Sequence, residues 1–97
     1  MASWVLIAFR LARYDRDRAS ELAKRLYGQR TSSHGGKYVY RRKGLLDDVP
    51  HVRLIRGVVI VRTEDAARVA ALLEDLRADV HARKVALTRE DREAMGI

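Results

Sequence analysis

The residues best suited to chemistry lie between Arg30 and Lys43, in the run RTSSHGGKYVYRRK. Arg30, Lys37, Arg41, Arg42 and Lys43 are cations able to pair with phosphate oxygens. Thr31, Ser32 and Ser33 supply hydroxyl donors, and the amides of Gly35 and Gly36 let an anion approach the backbone closely. Tyr38 and Tyr40 add rings on which bases can stack. Arg53, Arg56 and Arg62 extend the basic set if strand register allows. Together these residue types point to nucleic-acid binding through phosphate contacts. The competing reading is a solvated basic edge whose tyrosines pack on the core, because the signal is one of composition and has no fixed spacing. Five or six phosphate contacts would make log affinity fall with log salt at a slope of about −4 to −5 on duplex DNA.

Catalytic alternatives are weaker. Asp47, Asp48 and His51 follow the basic run, and carboxylates beside a basic surface could hold Mg²⁺ for phosphodiester cleavage. The same aspartates are what a turn before Pro50 calls for. His34 beside Ser32 or Ser33 could serve as a general base, but no group to orient it can be named. His34, His51 and His81 are the only histidines, and no two have helical metal-ligand spacing. There is no cysteine, which removes disulfides, thiolate metal sites and cysteine nucleophiles. Neither a phosphate loop nor a dinucleotide fingerprint occurs, so no cofactor is expected. No catalytic or metal-ligating residue is assigned, and a non-catalytic binding protein is favoured over a metal-dependent nuclease.

The placement of charge sharpens the binding reading. The chain has 97 residues with 20 Lys and Arg against 13 Asp and Glu, a formal charge of +7. Residues 1–29 are net +3, residues 30–62 net +6 and residues 63–97 net −2. A cationic excess concentrated in the middle suits a polyanion. The 34% of charged residues is also compatible with a thermophilic origin. No apolar run is long enough for a membrane span, and the opening MASWVLIAFR has no basic residue ahead of its apolar stretch. A soluble cytoplasmic domain spanning residues 1–97 is expected.

The elements that must position these residues follow from periodicity. Residues 3–11 read as a strand buried on both faces. Ala19, Leu22, Ala23 and Leu26 give the apolar stripe of a helix over 16–27, started by Asp15 or Asp17 and ended by Gly28. Residues 29–36 read as loop, 37–43 as a strand and 44–50 as a turn closed by Pro50. Residues 51–62 read as one apolar strand with a bulge at Gly57. Thr63 caps a second helix over 64–77, residues 79–87 form a mixed strand, and Thr88 with Asp91 caps a short terminal helix.

That order predicts an α+β fold: a ferredoxin-like βαββαβ sandwich with a short C-terminal helix, the apolar strands central and the charged strands at the edges. The helices cover one sheet face. The other would expose aliphatic side chains, which predicts a homodimer through the sheet, with the terminal helix as the alternative cover. Without aromatics on the strand LIRGVVIVR, the chain is not an ordinary RNA-recognition motif. RNA is favoured over DNA, because tyrosines beside a basic loop suit unpaired bases and no helix-turn-helix pattern is present. A regulatory protein-interaction domain that dimerises through its sheet is the reading from a different class.

Overall fold

A computed structural model of the chain describes residues 3–11, 15–33, 35 and 38–97, and leaves the side chains of 31–33 and 38 undescribed. The elements run β1 (Trp4–Leu11), α1 (Arg16–Tyr27), β2 (Gly28–Ser33), β3 (Tyr38–Lys43), a 3₁₀ turn (Leu45–Asp48), β4 (His51–Ile55), β5 (Val58–Arg62), α2 (Thr63–Asp75), β6 (Ala78–Val85) and α3 (Arg89–Met95). One four-stranded sheet has the order β4-β5-β1-β6, with every neighbouring pair antiparallel. β2 and β3 form a separate two-stranded antiparallel ribbon. No helix among the described residues is long and apolar enough to cross a membrane.

The α+β class holds, with three helices around an antiparallel sheet. The βαββαβ order does not, because the chain runs βαββββαβα. Two departures account for this. The 29–36 segment expected as loop is largely strand: β2 pairs with β3 from Gly28↔Lys43 to Ser33↔Tyr38. Consequently 38–43 pairs with this neighbour instead of lying along an edge of the main sheet. The apolar run 51–62 is not one strand but a hairpin. It turns at Arg56-Gly57, where Gly57 has φ +84°, a conformation that favours glycine. A real irregularity exists nearby, but it falls between Arg53 and Ile55 and not at Gly57.

The helices begin largely as their caps dictate. The Asp15 carboxylate accepts from the amides of Asp17 and Arg18 at 3.0 and 3.1 Å, and α1 ends at Gly28. Thr88 and Asp91 satisfy each other's amides at 3.1 and 3.0 Å at the start of α3. Thr63 behaves differently: it is the first helical residue of α2, and its hydroxyl bonds Ser3 Oγ at 2.6 Å.

The core lies between the helices and one sheet face. Val5 and Ile7 of β1, Val59 and Val61 of β5, Leu22 and Leu26 of α1, Val69 and Leu73 of α2, and Leu46 and Val49 beside the ribbon form one buried cluster. Side chains alternate along a strand, so Trp4 and Ile60 point to the opposite face. Both are nevertheless buried. The cover belongs to the same chain. α3 follows β6 at one edge of the sheet and packs against β4 at the other, so the C-terminal segment crosses this face. Trp4 and Ile60 are thus covered from within the chain, on the side that the C-terminal segment crosses.

Candidate functional site

The ribbon places the basic residues by simple alternation. Arg30 and Arg41 are directly opposed across it, and Lys43 shares their face. Arg42 and Tyr40 lie on the other face, with Gln29 opposite Arg42. Arg30, Arg41, Arg42 and Lys43 are all exposed, and Tyr40 and Val39 are 58% and 51% exposed. Ser32 pairs with Val39 and Ser33 with Tyr38 along the backbone, while the side chains of Ser32, Ser33 and Tyr38 fall outside the described part. His34, Gly36 and Lys37 lie outside the described residues altogether.

The ribbon grows from a rigid base. Gly28 has φ +93° and lies so close to its neighbours that an added Cβ would sit 2.5 Å from Arg42 O and 2.9 Å from Gly44 N. Any side chain here would push β2 away from the end of β3 and from Gly44. Asp47 completes the base: its Oδ2 accepts from the Gly44 amide at 2.8 Å, and its Oδ1 accepts from Arg41 Nη2 at 2.8 Å. The Arg41 hydrogen bond, followed by that of the Gly44 amide, holds the Asp47 carboxyl below its usual value of 3.8. The same bond raises the Arg41 guanidinium further. Lys43 Nζ faces Asp48 Oδ1 at 3.7 Å, with both side chains well exposed.

The aspartates after the basic run are therefore counter-ions of the ribbon. His51 Nδ1 lies 2.7 Å from the Val49 carbonyl and so donates to it. Among the described residues no group of metal-ligating side chains comes together, Asp47, Asp48 and His51 included.

The remaining basic residues divide. Arg53 stands on β4 with its guanidinium 3.7 Å from the centroid of the Tyr27 ring, at the end of α1 from which the ribbon departs. Arg56 sits in the β4–β5 turn, at the far end of β4. Arg62 bonds Asp65 Oδ2 at 2.8 Å and serves the buried carboxylate at the start of α2. The structure thus joins Arg30, Arg41, Arg42 and Lys43 on one projection, sets Arg53 near its base, and leaves Arg56 elsewhere. Residue types alone did not reveal Gln29, the pairing of Asp47 with Arg41, or the Tyr27–Arg53 stack. Only the first had an available signal, the β-branched Thr31 two residues on. No protein-family model, curated protein or solved structure matches this chain.

Proposed function

We propose that this chain is a small, basic, non-catalytic nucleic-acid-binding protein that grips phosphates with the β2–β3 ribbon, RNA before DNA. The observation that supports this most is the Arg30–Arg41 pair. Like charges directly opposite on a ribbon are destabilising, and they are tolerable where an anion bridges them. Among the described residues Asp47 pairs with Arg41 alone, and a phosphate is the natural anion to join Arg30 to it. The ribbon stands outside the main sheet with cations on both faces, so a strand of phosphates can follow either. Exposed Tyr40 beside Arg42 suits stacking on an unpaired base, which favours single-stranded or looped RNA.

The body fits a ferredoxin-like ancestry under this reading. If β1, β4, β5 and β6 are numbered one to four in chain order, the sheet reads two, three, one, four. That order supports reading the body as a split β-α-β arrangement with the ribbon inserted after its first helix. Such a protein would work in the cytoplasm, where RNA is available to it.

Fluorescence anisotropy with a labelled single-stranded RNA tests the reading. Wild type should bind with strong salt dependence, and the double variant Arg41→Glu, Arg42→Glu should lose binding while staying folded, with a lower melting temperature because the Arg41–Asp47 bond is lost. Unchanged affinity in that variant would remove the proposal. A second reading, duplex DNA, rests on the ribbon's shape: the major groove of B-form DNA, about 12 Å wide, admits a two-stranded ribbon, whereas that of A-form RNA is closed to side chains. A DNA duplex that competes better than single-stranded RNA would choose it.

A further inference from the structure

We infer that the groove between α1 and the C-terminal end of β1 binds a small molecule that joins an aromatic ring to one anionic group. This site is separate from the ribbon and does not rest on the function proposed for it.

The groove exists because of the composition of α1. Its apolar stripe alternates alanine with leucine, and Ala19 and Ala23 leave space that larger residues would fill. The result is a cavity of about 370 Å³ between α1, β1 and the β4–β5 turn. That volume is within the range of small-molecule pockets. Phe9, Leu22 and Tyr27 supply its walls, with one face of the Tyr27 ring already covered by Arg53. Phe9 and Tyr27 are only half-buried, although such side chains are normally covered when a partner is available.

The mouth carries the charge. Arg56 lines the cavity and is exposed. Arg10 alternates with Phe9 along β1, so its side chain lies on the opposite sheet face, where its Nε faces Asp79 Oδ2 at 3.7 Å. Arg56 has no carboxylate within ion-pair distance among the described residues. The turn that holds it is fixed by Gly57, whose carbonyl accepts from the Phe9 amide at 2.8 Å. One guanidinium, that of Arg56, is therefore held beside the cleft. A carboxylate or phosphate at the mouth with a ring inside satisfies both parts. A neutral ligand leaves Arg56 unused, and a bare anion leaves the apolar walls exposed.

Amide NMR titration of the full chain tests this with phenyl phosphate, benzyl alcohol and inorganic phosphate. Phenyl phosphate should saturate and shift the amides of Phe9, Leu22 and Gly57. Benzyl alcohol should bind more weakly at the same place, and inorganic phosphate should leave those amides unmoved. Arg56→Gln should weaken phenyl phosphate about tenfold, the loss expected for a charge-assisted hydrogen bond, and leave benzyl alcohol unchanged. Ala23→Leu, which keeps a good helix former, should abolish binding of both. The ribbon variant Arg41→Glu, Arg42→Glu should bind phenyl phosphate normally, which separates the two sites. The inference is overturned if inorganic phosphate competes as well as phenyl phosphate, if Arg56→Gln weakens the alcohol equally, or if folded Ala23→Leu still binds.

Discussion

Arg41 is pulled in two directions. Asp47 holds it at 2.8 Å, and the proposed ligand would have to share or replace that carboxylate. Removing the charge while keeping the shape should therefore help binding: Asp47→Asn is expected to raise RNA affinity severalfold, read by anisotropy. The same substitution should lower stability at neutral pH. The folded-state value of Asp47 is depressed, so its contribution is fully present above the ordinary 3.8 and disappears as pH falls through the depressed value. The melting temperatures of wild type and Asp47→Asn should therefore converge below pH 3.8. A gap that persists in acid would mean that the Arg41 bond is not its source. At this scale the sequence was informative about types and silent about pairs. Arg41 and Asp47 are obvious as a base and an acid, but nothing in their spacing announces that the chain folds one onto the other. A turn was favoured over metal binding for Asp47, and its bond to the Gly44 amide is what that turn requires.

Helices were easier to read than strands, and the reason is physical. α1 and α3 carry their start signals in a single side chain or a reciprocal pair, and these bond as their positions require. α2 stops at Asp75, short of the predicted end, where Arg77 takes a left-handed φ of 59°. Strands have no such local markers. β2 was missed because GQRTSS contains no apolar residue: it is held by pairing with β3 and not by burial. The β4–β5 hairpin was missed because valine and isoleucine continue on both sides of Arg56-Gly57, so no polar break marks the turn. Gly57 was recognised as a special position but assigned the wrong role. Its φ of +84° and its approach to the Phe9 carbonyl make a definite demand. Gly57→Ala should cost about 1–3 kcal/mol in chemical denaturation, from the strained backbone alone. A neutral result would show that the turn can adopt another conformation.

At the level of the whole molecule, the chain is less compact than its length requires. Its radius of gyration is 14.7 Å, against about 12.5 Å for a compact chain of this length. The projecting ribbon is consistent with that excess, and charge placement had already pointed to it: the most basic third of the sequence contains β3 and most of β2. What charge could not reveal was that these strands leave the sheet. On the second face, the alternative cover named from the sequence, the terminal helix, packs against β4. Truncation after Leu87 should uncover Trp4, the only tryptophan, shifting its emission to longer wavelength and promoting self-association. An unchanged spectrum would mean that α3 is not the cover. Exposed Leu54 and Ile55 remain on the β4 edge even with α3 in place. The central claim concerns the ribbon, and mapping amide shifts on adding a single-stranded RNA tests it most directly. The account predicts perturbations concentrated between Gly28 and Lys43, extending to Arg53. Shifts centred on α3 and β6, with the ribbon unmoved at saturation, would contradict it.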